Sequence, residues 1–124
     1  MRAMFSDGRT EVDAFDSADR DFSLGAVAKG KLWRRPLDVA GAGVAVTWIS
    51  EAHARYMAKG GIDAFTGDGV LPRHGPEELL EGFYSLNLFK ALWLAVDYQF
   101  LVNPAYNRDR GPEHVFAGRV HAEF

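Results

Sequence analysis

The sequence predicts an all-β fold built from antiparallel up-and-down strands, with one short helix in a long loop. Three observations predict it. Apolar and polar residues alternate with period two in five separate stretches. The connections between those stretches alternate between short and long. Aromatic residues make up 13% of the 124 residues, beside 13 glycines, which favours strands and tight turns over helices. Successive side chains of a strand point to opposite faces, so a period of two means that the two faces meet different surroundings.

In chain order, 1–6 reads as the end of a strand, followed by a loop to about Asp19. In FSLGAVAKGKLW (22–33), Phe22, Leu24, Ala26, Ala28 and Leu32 oppose Ser23, Gly25, Lys29 and Lys31. The turn RRPLD (34–38) leads into DVAGAGVAVTWIS (38–50), which is small and apolar on both sides. The 51–77 segment, about 27 residues, exceeds the usual loop length in compact domains. Part of it reads as a helix: Ser50 is a good N-cap, EAHARYMAK follows with Glu51 and Arg55 one turn apart, and Gly60-Gly61 ends it. Then LLEGFYSLNLF (79–89) places Leu80, Gly82, Tyr84, Leu86 and Leu88 opposite Glu81, Phe83, Ser85 and Asn87. Only Lys90 and Ala91 separate it from LWLAVDYQFLVN (92–103), a hairpin-length turn. The loop NPAYNRDRGPE carries Pro104, Asn107, Asp109, Gly111 and Pro112, residues suited to tight bends. The last stretch, HVFAGRVHAEF (114–124), alternates to its end at Phe124.

Bulk properties narrow the function classes. A net charge of -3 gives no basic excess, so no nucleic-acid partner is expected. Absence of cysteine excludes disulfides and thiolate metal sites. MRAMFSDGRTEVDAF has no apolar secretory core, and no run approaches the roughly 18 to 20 apolar residues of a membrane helix.

Two surroundings fit the alternation. One is a soluble sandwich or small barrel whose even-numbered face packs a core, a module that binds carbohydrate or another ligand on its polar face. The other is the wall of a transmembrane β-barrel, with lipid on the even face and water on the odd one. Strands of about 9 to 11 residues, short turns on one side and long loops on the other belong to the second. Aromatics near strand ends (Phe22, Trp48, Phe89 and Phe124) point the same way. So does a terminal strand ending on a large aromatic, because lipid leaves no backbone group unpaired.

YQFLVNPAYNRDRGPEHVFAGRVHAEF resembles the C-terminus of the carbohydrate-selective outer-membrane porins of the OprB family. SLGAVAKGKLWRRPLD and PEELLEGFYSLNLFKALWLAVDYQF are also similar. The resemblance covers nearly the whole chain and implies the C-terminal part of one barrel domain, about 5–6 of about 16 strands. It implies monosaccharide passage across the bacterial outer membrane. It further implies that Phe124, with Phe116, Val120 and Ala122, is recognised by the barrel-assembly machinery. Met1 would then be an internal or misplaced start, and closure would need the missing N-terminal strands or copies of the chain.

On the odd face, Lys29, Glu81, Asn87, Asp97, Gln99, Arg119 and His121 are candidates to bond sugar hydroxyls in a pore lumen, and Phe83 and Trp93 to stack on a sugar ring. Asp97 and Arg119 are expected to pair across strands. Each of these residues also reads simply as wetting or bracing the wall. A cation held by Asp63 and Asp68 is the weaker alternative to a plain loop, because the ligand spacing of a calcium loop is missing. No cofactor or metal is expected, and His53, His74, His114 and His121 lack metal-site spacing. The acidic cluster of Glu77, Glu78 and Glu81 raises glycosidase chemistry, yet no second positioned carboxylate accompanies it. The reading is a passive transporter, not an enzyme.

Overall fold

The computed structural model describes residues 1–9, 17–63, 66 and 69–124. Six strands form one sheet: β1 (Arg2–Phe5), β2 (Arg20–Lys29), β3 (Val39–Trp48), β4 (Glu77–Phe89), β5 (Leu92–Val102) and β6 (Glu113–Ala122). Their order in the sheet is their order in the chain, and every pairing is antiparallel. The outer edges of β1 and β6 carry no strand among the described residues. Among the described residues one α-helix, α1 (Glu51–Ala58), sits in the long loop between β3 and β4. The all-β, up-and-down expectation therefore holds.

Register decides what each face carries. Leu24 pairs with Val44, Val44 with Leu80, Leu80 with Phe100 and Phe100 with His114. Even meets even from β2 to β6, so the two sequence sets become two continuous faces. β1 breaks the rule: Arg2 pairs with Ser23 and Phe5 with Arg20. Its odd residues therefore join the even face, and Met4 joins the odd one. A second phase change lies in the β4–β5 turn, where a register shift lets Phe89 pair with Leu92 and returns Phe89 to the even face.

The β2–β3 connection differs from the expectation. β2 stops at Lys29, and Gly30–Trp33 form a 3-10 turn. Consequently Leu32 leaves the strand alternation and stands exposed. The reason is a clamp built on Asp38, whose side chain is buried. Its carboxylate accepts from Arg35 Nε at 2.5 Å, from the Tyr84 hydroxyl at 2.5 Å and from Asn87 N at 2.9 Å. Trp33 Nε1 in turn donates to the Tyr84 hydroxyl at 3.0 Å. Gly30 N bonds to Asp38 O, and a β-carbon on Gly30 would lie 1.9 Å from Arg35 O, so only glycine fits. The Asp38 carboxyl is held down at a pKa of about 2, first by the Arg35 hydrogen bond, then by Tyr84 and the Asn87 amide.

The buried core lies outside the sheet. Ala18, Ile49, Met57, Leu71 and Tyr106 form it, with Met4 and Ala54 packed against it. All come from the long-loop end, and Met57 is fully buried. Ser50 caps α1 by accepting from His53 N at 3.1 Å, and Gly60 follows the helix at φ +89°, both as the sequence predicts. Glu51 lies 3.4 Å from His74 Nε2 instead of pairing with Arg55. The β3–β4 and β5–β6 loops are zipped together by Gly75 N to Tyr106 O, Arg108 N to Arg73 O and the Arg73–Asp109 ion pair at 2.6 Å. Asn103, Ala105 and Tyr106 all adopt positive φ. Asn103 Nδ2 bonds to Pro76 O and Ala105 N to Glu77 Oε2, which holds this strained stretch in place.

Candidate functional site

The odd face arranges its polar groups in rows fixed by strand register. Across β4, β5 and β6 the rows read Glu81–Gln99–Val115, Phe83–Asp97–Ala117, Ser85–Ala95–Arg119 and Asn87–Trp93–His121. On β2 and β3 the same face is nearly bare, because Gly25 pairs with Gly43 and Ser23 with Ala45. A recess of about 420 Å³ lies over this floor, walled on one side by Glu81 and Phe83 and on the other by Met1 and Arg2. Gly41 matters here: a β-carbon on it would lie 2.3 Å from the Phe83 ring. The missing side chain lets that ring lie against the wall.

The predicted lining residues do not behave alike. Gln99 donates to Glu81 at 2.8 Å, so these two brace each other across β4 and β5. Asn87 is occupied: its side chain donates to Phe89 O and Leu92 O, its backbone amide binds Asp38, and its carbonyl accepts from Arg35. It closes the turn. Asp97 pairs with Ala117 and Arg119 with Ala95, which sets the two charges on a diagonal. No ion pair joins them among the described residues, contrary to expectation. Lys29 ends β2, exposed, beside Val39. Trp93 and His121 face each other with ring centroids 5.7 Å apart at 53°. They share a second recess, of about 330 Å³, with Ser85, Ala95, Arg119 and Glu123.

Sequence reasoning missed the polar cluster under the loops. His53 Nδ1 lies 3.3 Å from Asp19 and its Nε2 lies 3.1 Å from Asp63, so the imidazole bridges two buried carboxylates. Asp63 also accepts from Ser17 and Thr66, each at 2.7 Å, and Asp19 from Ser50 N at 2.6 Å. These partners occupy Asp63, while Asp68 lies outside the described residues. No cluster with metal-binding geometry exists among the described residues. The only sequence signal for this network is spacing between loops, which pattern reading cannot connect.

The even face is apolar over its whole width. Leu24, Val44, Leu80, Leu94, Val96, Phe116 and Val120 are all exposed on it. Its charged or imidazole-bearing residues are Arg20, Glu78 and His114, each at the long-loop end of its strand. Aromatics gather at both ends. Tyr98, Phe100, His114 and Phe116 cluster toward the long loops, with the Tyr98 hydroxyl 2.9 Å from His114 Nδ1. Trp33 and Tyr84 meet at 6.1 Å near the short turns, where Phe89 is exposed. From Leu92 to Val102, β5 rises about 33 Å, which at a tilt near 40° is about 25 Å of height. That is the height of the apolar band of an outer-membrane barrel. Among the described residues no helix is long and apolar enough to cross a membrane, which says nothing about strands.

β6 ends at Ala122, with Glu123 N bonding to Ala91 O just beyond it. Phe124 thus projects past the last ladder bond at the short-turn end, fully exposed. Phe116, Val120 and Ala122 share the even face behind it, all exposed.

Comparison with known proteins agrees with this geometry. The family model described as carbohydrate-selective porin, OprB family, matches residues 1–124, the whole chain. No curated protein and no solved structure matches it.

Proposed function

We propose that this chain, which belongs to the OprB family of carbohydrate-selective porins, forms part of a barrel wall for passive monosaccharide transport across the bacterial outer membrane. The observation that carries this reading is the even-to-even parity that runs from β2 to β6 up to the shift at Phe89: one face is largely apolar and exposed, and the other bears most of the charge. A soluble sandwich would cover that apolar face. Here its side chains meet no packing layer, and the buried cluster lies at the loop end instead. Exposing so wide an apolar sheet to water is costly, and outer-membrane lipid is the solvent that suits it.

Solute then moves down its gradient along the odd face. Glu81, Asp97, Gln99, Arg119 and His121 offer hydroxyl partners there, and Phe83 and Trp93 offer flat apolar surface. Membership in a porin family supports a transporter and not an enzyme. Six strands are fewer than the eight of the smallest single-chain outer-membrane barrels, so the open edges of β1 and β6 pair with further strands of the same barrel or with copies of this chain. Phe124 and the even-face residues Phe116, Val120 and Ala122 are the surface offered to the barrel-assembly machinery.

Two measurements test the proposal. Spin labels at 96, 98 and 120 should show high accessibility to lipid-soluble oxygen when the chain is reconstituted in vesicles. Vesicles carrying it should swell in isotonic monosaccharide. Solubility as a monodisperse species in plain buffer would instead favour the carbohydrate-binding module.

A further inference from the structure

We infer that the recess at the short-turn end of the odd face is a binding subsite for a pyranose ring, with Trp93 as its platform. This inference rests on the transport reading and adds a defined resting place for the solute. Its walls come from three strands. Trp93 and His121 are directly paired, as are Ala95 and Arg119 in the next row, and Ser85 completes that row on β4. Ala95 is the smallest side chain of this group. It leaves a low floor between the taller Trp93 and Arg119, and the resulting hollow measures about 330 Å³.

The chemistry of the walls selects among ligands. The indole and imidazole rings stand 5.7 Å apart and tilted by 53°, which forms an open angle and not a closed stack. The imidazole tilts against one part of the indole, and a planar apolar face can pack on the part that it leaves uncovered. Around it stand a guanidinium, a hydroxyl and a carboxylate, from Arg119, Ser85 and Glu123. Glu123 lies 3.2 Å from His121 Nε2, which orients the imidazole. Both donors and acceptors are therefore present, and the two full charges are of opposite sign. An ion would favour a ring of one sign, whereas a sugar hydroxyl donates and accepts at once. A cyclic sugar combines a flat C–H face with an edge of hydroxyls, whereas a linear polyol has the hydroxyls but no fixed flat C–H face.

The test uses intrinsic fluorescence of the full chain reconstituted in vesicles. Glucose should change the emission saturably, and sorbitol at equal concentration should not. Trp93→Phe should abolish the change while the emission of Trp33 and Trp48 remains. Ala95→Leu, which fills the floor and keeps the indole, should abolish it too, so the question stays answerable if Trp93→Phe misfolds. His121→Ala should raise the half-saturating concentration about three- to tenfold. An absent response, an equal response to sorbitol, or a response that survives Trp93→Phe overturns the inference. Vesicle swelling separates it from the transport reading. Swelling in glucose with a silent Trp93 sinks the subsite alone, and a responsive Trp93 without swelling sinks transport and leaves the subsite.

Discussion

Val96 stands near the middle of β5, four residues from Leu92 and six from Val102, on the exposed apolar face. At about 3.3 Å per residue and a tilt near 40°, that is about 10 Å above the short-turn boundary of a band about 25 Å high. Arginine at such a depth costs about 2–4 kcal/mol in an outer-membrane barrel. Val96→Arg should therefore lower the urea midpoint of the vesicle-folded chain by about 1–2 M, taking a slope near 2 kcal/mol per molar. Ala117→Arg is the matched control. Ala117 is exposed on the odd face directly opposite Asp97, where a new cation finds water and a carboxylate. Its cost should stay below about 1 kcal/mol. Tryptophan emission against urea reads both variants. Equal costs at the two positions, or a cheap Val96→Arg, would refute the assignment of lipid to the even face.

Acid should open the β2–β3 turn in a defined window. The Asp38 carboxyl is depressed in the folded chain, so its contribution is complete above about pH 4 and is lost as pH falls through about 2. Trp33 emission should follow that loss, and Asp38→Asn should remove the transition. Met57→Ala should destabilise the loop cluster by about 2–5 kcal/mol, seen as faster proteolysis within the 49–76 loop. Ser50→Ala removes the cap on α1 and should cost about 1 kcal/mol by the same assay.

Much of this architecture was legible because period-two alternation is a local signal. The even set in β4 and β5 is even in space, and the Ser50 cap and the Gly60 stop lie where the letters put them. What stayed hidden depends on pairs distant in the chain. The phase of β1 could not be read, because slipping four residues by one position costs no recognisable pattern. Asp97 and Arg119 looked adjacent, yet register set them on a diagonal. Asn87 looked like a lining residue, but Asp38, 49 positions earlier, claims its amide. Tyr106 and Leu71 carried no alternation and still became core, because loop residues meet only after the strands have placed them.

The buried cluster of Ala18, Ile49, Met57, Leu71 and Tyr106 has a thermodynamic consequence. In the proposed membrane placement it lies beyond the apolar band, where water is the solvent, so its burial is driven by ordinary hydration physics. On the proposed reading the wall is held by ladder hydrogen bonds within hydrocarbon, where that force is missing. Two halves of one chain thus answer to different variables. Cooling weakens the cap and leaves the wall nearly untouched, while thinning the bilayer strains the wall and spares the cap. Calorimetry in vesicles of different chain length should resolve two heat-absorption peaks, of which only one moves with the lipid.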